Sequence, residues 1–165
     1  MCVLQGTSLN DGPVTGTVTF VQMDNGDLNV TIDATGLLDG DHAYHVHNYG
    51  NIDSDNGMAT GGHFVGQCDA CRPDGKPQEV GLLNNGTALV VTGGSVSFWY
   101  IEEVAKLSGV NSIEGRAVII HGNAQSASAR VAQCVIGRMT GNTAAPCEWV
   151  LALGHQRWEA VVHAG

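Results

Sequence analysis

A chain of 165 residues is long enough for one domain with a full hydrophobic core. Its formal net charge of −9 excludes nucleic acid as a natural partner, since phosphates need a basic surface, and repels anions unless a local cation overrides the field. With 14% charged residues, 23 glycines and no apolar run near the roughly 20 residues of a membrane span, no long helical bundle, disordered chain or membrane-spanning helix is expected.

Met1-Cys2-Val3-Leu4 leads directly into strand-like sequence with no secretory signal, as expected of a mature or excised domain. Strand-length segments are predicted at 2–5, 16–22 and 28–33. Asn10-Asp11-Gly12-Pro13 and Asp24-Asn25-Gly26-Asp27 supply turns, the second closing a hairpin. Gly36-Leu37-Leu38-Asp39-Gly40-Asp41 is a further turn, leading into Ala43-Tyr44-His45-Val46-His47. Apolar residues and imidazoles alternate there as in a strand, so His45 and His47 share one face. From 48 to 76 strand signals vanish in favour of Gly, Asn, Asp, Ser and Cys, with His63 in the middle. A loop that long inside a compact domain is usually functional.

Strands resume at 87–92 and 96–101, separated by Gly93-Gly94. A link at 104–107 and a lead-in at 108–116 precede a strand at 116–121 that ends on His121. Small residues fill the loop 122–129, and the last clear strand is 130–137. In the tail, 149–153 and 160–162 read as strands or as a short helix with a strand, while His155 and His163 are expected at the surface. Many short strands without helical periodicity indicate an antiparallel sandwich or barrel. His45, His47, His63 and His121, with no cysteine among them, suit a borderline ion such as copper or zinc.

Five cysteines exceed the usual content of a cytosolic domain. Cys68-Asp69-Ala70-Cys71 lacks the further spaced ligands of a zinc knuckle and the βαβ surroundings of a redox motif. Disulfides in an oxidising compartment are expected instead, with Cys2 as an odd buried thiol. Asn29-Val30-Thr31 and Asn85-Gly86-Thr87 match the glycosylation sequon, a pattern that arises often by chance.

Over residues 2–137 the chain resembles the copper–zinc superoxide dismutases. The resemblance is carried in order by Cys2-Val3-Leu4, Gly12-Pro13-Val14, Gly36-Leu37, the stretch 42–50, Gly61-Gly62-His63-Phe64, Leu107-Ser108-Gly109, Gly115-Arg116, His121 and Val135-Ile136-Gly137. It implies an all-β, eight-stranded Greek-key barrel over 1–137 with the metal site on its outer face, followed by a C-terminal extension at 138–165. It also implies that His45, His47, His63 and His121 ligate copper, with Arg130 guiding the anionic substrate and His63 carrying a proton. Arg116 matches a structural arginine, and His42 a histidine that supports the site without ligating.

Three departures sharpen this expectation. The family's zinc site uses the bridging histidine, two more histidines and an aspartate, yet no histidine lies between His63 and His121. Glu79 and Leu82 stand where a zinc histidine and the aspartate would be, so one copper and no zinc is expected, with Glu79 hydrogen-bonding His63. The family's long charged loop is reduced to the eight uncharged residues 122–129, as in copper-only members. Its disulfide is missing too, since Gly57 and Gln133 occupy the two cysteine positions. Among Cys68, Cys71, Cys134 and Cys147 three pairings remain open, and a bridge from the 68/71 loop to Cys134 or Cys147 is expected.

The expected function is copper-only superoxide dismutation, with superoxide as the small-molecule substrate. The alternatives are an extracellular copper-binding or storage domain with little turnover, and an inactive structural module. Arg130 favours the enzyme over storage, and the full histidine set argues against the inactive module. An extracellular or cell-surface location, a monomer or weak dimer, and a place as one repeat of a multidomain protein complete the expectations.

Overall fold

Period-two alternation builds the strands of this computed structural model, which describes residues 1–67, 79–125 and 127–139. In β3 (Leu28–Thr35), Leu28, Val30, Ile32 and Ala34 are buried while the residues between them are more exposed. The same alternation runs through β1 (Cys2–Gly6), which buries Cys2 and Leu4, and through β2 (Thr15–Gln22), which buries Val18 and Phe20. Each aliphatic side chain so buried contributes about 2 kcal/mol. The remaining strands are β4 (Gly40–His42), β5 (Tyr44–His47), β6 (Leu89–Val91), β7 (Ser95–Glu102), β8 (Ala117–His121) and β9 (Arg130–Val135).

Seven of them form one antiparallel sheet in the order β5-β8-β9-β1-β2-β3-β7, and β4 pairs with β6. Two links close the ring. Strands β6 and β7 join in a hairpin through Gly93 and Gly94, both at positive φ (61° and 73°), which suits the two-residue turn that follows strand twist. Strands β4 and β5 follow each other across Ala43, which leaves the strand pairing to bond Asn123 and His121 of the β8 end instead. Counted as one interrupted strand, they make eight around a Greek-key barrel, the fold expected.

The differences from expectation are local. The stretch 36–41, expected as a turn, ends in β4, because His42 and its neighbours pair with β6 before the chain changes partners at Ala43. Strand β6 is shorter than 87–92, since residues 83–86 form a 3₁₀ turn with Asn84 and Asn85 at positive φ. The segments 149–153 and 160–162, His155 and His163, and all but Arg138 and Met139 of the expected extension lie outside the described residues.

The expected cysteine pattern is corrected. Cys2 is not a free thiol: it is bonded to Cys134, with the two Cα atoms 5.4 Å apart. Both side chains point inward from neighbouring strands β1 and β9, which brings the sulfurs together inside the barrel. Cys134 is thereby unavailable to Cys68 or Cys71, which lie outside the described residues with Cys147. Closing a loop across a sequence separation of 132 restricts the unfolded chain by about 5 kcal/mol in the chain-entropy account.

Candidate metal centre

Tyr44 and Val46 of β5 enter the core, so His45 and His47 face outward, beneath the long loop that follows. That loop returns to β5 through backbone bonds resembling an added strand. Asn48 N donates to Gly62 O at 2.9 Å and Phe64 N to Val46 O at 2.9 Å, setting His63 opposite His47. Gly81 then lies against the same edge, Val46 N donating to its carbonyl at 2.9 Å. A Cβ at Gly81 would stand 2.2 Å from the Val46 carbonyl oxygen, so only glycine fits there. On β8, an irregularity between Ile120 and His121 shifts the register with β9 and places His121 opposite Arg130.

These elements gather four imidazoles. The nearest ligand atoms of His45, His47, His63 and His121 all lie within 4.8 Å of one another. His45 and His63 rings stack with centroids 4.0 Å apart. Three rings have one nitrogen held from behind, which fixes the tautomer and leaves the other lone pair free. His47 Nδ1 donates to Gly61 O at 2.9 Å, His121 Nδ1 to Ser128 O at 3.0 Å, and His63 Nδ1 to Glu79 Oε2 at 2.8 Å. Buried His47 Nε2, His121 Nε2 and His45 Nδ1 have no hydrogen-bond partner among the described residues. Unpartnered buried nitrogens are costly unless something else binds them. An all-nitrogen set of neutral imidazoles suits copper or zinc, so the residues fit a metal of that class.

Burial holds three of the rings, those of His45, His47 and His121, neutral. It pushes His45 down to about 3, assisted by the neighbouring His63, His121 and His47. His47 is likewise pushed to about 3 by burial, against the opposing pull of the Gly61 carbonyl and with help from Arg130. Burial also lowers His121, against the Ser128 carbonyl. In the unfolded chain histidine titrates near 6.5. Below that pH the unfolded chain binds protons that the folded rings refuse. Stability contributed by these rings is therefore fully present above about pH 6.5 and is lost as pH falls toward 3. The metal-free protein should lose a few kcal/mol between pH 7 and pH 4, read from its thermal midpoint, with a shallower slope in His45→Leu. A flat midpoint would contradict neutral, buried rings.

Arg130 stands beside this cluster. Its Nη1 donates to Gly57 O at 2.8 Å and to Thr60 Oγ1 at 3.2 Å, and neither Nε nor Nη2 has a partner among the described residues. Arg130 also lines a cavity of about 320 Å³ with Leu9, Asn56, Met58 and residues 127–129. Thr60, a residue that sequence patterns did not single out, bridges the parts. Its hydroxyl donates to Gly57 O at 2.7 Å and lies within reach of both Arg130 Nη1 and His47 Nδ1, the latter at 3.3 Å. Only its place in the glycine-rich stretch before His63 hinted at it.

Both ring nitrogens of His42 face carbonyl oxygens, His121 O at 2.6 Å and Leu38 O at 2.8 Å, so it bonds the backbone of a cluster residue and stays out of the cluster. Arg116 donates to Ser112 O and Asn48 O and lies 3.5 Å above the Phe64 ring, which anchors the start of the loop. Leu82, whose backbone N–H donates to Glu79 O at 2.9 Å, has a hydrocarbon side chain and offers no metal donor atom.

A family model described as Copper/zinc superoxide dismutase (SODC) matches residues 14–147, which runs ten residues beyond the expected barrel end at 137. The chain is also similar to the Cu-Zn superoxide dismutase A of Xenopus laevis, 37% identical over 123 residues, covering 73% of this chain and 76% of that protein.

Proposed function

The chain belongs to the copper/zinc superoxide dismutase family, and on that premise we propose that it disproportionates superoxide with copper alone, without a zinc partner. One observation carries the copper-only reading: His63 Nδ1, the nitrogen that a second metal would need, is 2.8 Å from Glu79 Oε2. Leu82 in place of an aspartate and the absence of histidine between residues 63 and 121 support it.

His45 Nδ1 and the Nε2 atoms of His47, His63 and His121 would hold the ion. Copper bound there supplies one-electron exchange between Cu(II) and Cu(I). The protein does the rest. Arg130 offers the local positive charge that a chain of net charge −9 otherwise lacks, and its unpartnered guanidinium nitrogens can donate to a small anion. His63 is the ring best placed to move a proton. Glu79 keeps Nδ1 protonated and oriented, so Nε2, whenever its lone pair is not engaged by the ion, would accept a proton and give it to the reduced oxygen on its way to peroxide. The short uncharged 122–129 loop leaves little chain to cover this side of the site.

The deciding experiment is metal analysis after loading with both copper and zinc, alongside a superoxide assay. One copper, no zinc and fast turnover are expected. Stoichiometric zinc would defeat the copper-only reading, and copper without turnover would make the domain a copper store. Glu79→Ala should lower copper affinity about tenfold and slow turnover, because His63 loses its orienting acceptor. Unchanged affinity and turnover would leave Glu79 no role at the site.

A further inference from the structure

Gln133 lies on β9, its backbone paired with Ile119 of β8 on one side and Gln5 of β1 on the other. Ile119 in turn pairs with His45, so Gln133 belongs to the same outward-facing row as the metal centre. A polar residue on the outer face of a barrel ordinarily meets water, yet Gln133 is 1% exposed. The loop after β5 covers it, and the two are bonded. Gln133 Nε2 donates to Ser54 O at 3.0 Å and to Ile52 O at 3.3 Å, reaching 79 and 81 residues back along the chain.

We propose that Gln133 is a positioning residue whose side-chain amide fastens the loop after β5 to β9 and so helps to seat Arg130 and His47. The inference rests on the copper-site reading for its effect on catalysis, but the tether itself is independent of metal. The connections from it to the site are short. Ser54 O also accepts Gly57 N at 3.3 Å, and Ser54 Oγ accepts Ala59 N at 2.9 Å. Gly57 O holds Arg130 Nη1, while Thr60 and Gly61 back His47 Nδ1. Released at Ser54, the turn from Gly57 to Gly61 is held to the barrel only through neighbours such as Ser8 N to Asp55 O at 2.6 Å and through Arg130 itself, so the seats of Arg130 and His47 loosen. An amide is indifferent to thiol reductants. Assembly of the site is therefore separate from the state of Cys2–Cys134, which bridges the inner face of the same strand.

The test compares Gln133→Leu and Gln133→Glu with a Cys2→Ala/Cys134→Ala double variant. In the metal-free proteins, hydrogen exchange at the Gly57 and Ala59 amides should quicken about tenfold in both Gln133 variants and stay unchanged in the cysteine variant. In the copper-loaded proteins, the Cu(II) electron paramagnetic resonance spectrum should change and azide should bind several-fold more weakly in the Gln133 variants alone. The cysteine variant should show only a lower thermal midpoint. A lower midpoint in Gln133→Leu with unchanged exchange, spectrum and azide affinity would overturn the proposal, as would equal changes in the cysteine variant. Faster exchange in the Gln133 variants of a protein that takes up no copper would uphold the tether and defeat the copper-site reading.

Discussion

Replacing His47 with Gln is expected to cut copper affinity at least about a hundredfold and to remove nearly all dismutase activity. Losing even a residue that merely orients a ligand costs ten- to a hundredfold in affinity, so losing a ligand should cost at least the upper figure. The glutamine amide can still donate to Gly61 O, which keeps the local bonding intact. It cannot present an imidazole lone pair where His47 Nε2 now lies buried without a partner. His42→Gln is the matched control, because both of its ring nitrogens already face carbonyl oxygens and copper should stay bound. Copper content after dialysis against a weak chelator reads both variants. Full copper retention in His47→Gln would strike His47 from the ligand set.

The second large effect is expected at Arg130. Arg130→Leu should lower kcat/KM for superoxide about 10- to 100-fold while copper remains bound. The chain carries −9 overall, so the guanidinium is the local exception that lets an anion approach. Salt gives this prediction a sign. Once the guanidinium is gone, repulsion from the acidic surface is what remains, and screening it should raise the residual rate. Arg130→Lys keeps the charge and should lose less than Arg130→Leu. Because Nη1 also holds Gly57 O and Thr60, copper content and thermal midpoint must be measured on the same samples. A rate in Arg130→Leu equal to the unsubstituted protein's would show that the site needs no anion guide.

The strands that carry the metal centre were legible because side-chain alternation is a local property. His45 and His47 sit in a run whose neighbours Tyr44 and Val46 are apolar, and burying those two dictates where the imidazoles point. His121 was legible for a similar reason, as the polar end of an apolar run. Which strands become neighbours is a long-range matter. Cys2 looked solitary because its partner lies 132 residues away on β9, and alternation settles the face of a strand without naming what lies beside it. Thr60, and the hold of Gln133 on the loop after β5, escaped for a third reason. Their importance comes from side chains bonding the backbone of an irregular loop, whose path follows no period. The break at Ala43 belongs with these, since one residue giving its bonds to the β8 end leaves no trace in composition.

The bridge between Cys2 and Cys134 also has a mechanical consequence. His45, His47, His63, His121 and Arg130 all lie within the covalent ring that it closes. Next to it, Met1 N donates to Gly137 O and Gly137 N to Met1 O, so chain enters and leaves the barrel at adjacent points. Tension applied through flanking segments would load the paired β1 and β9 and then the sulfur bridge. The ring segment that bears the metal centre could not be drawn out while that bridge stays closed. Pulled from both ends, the molecule would part last at its catalytic core.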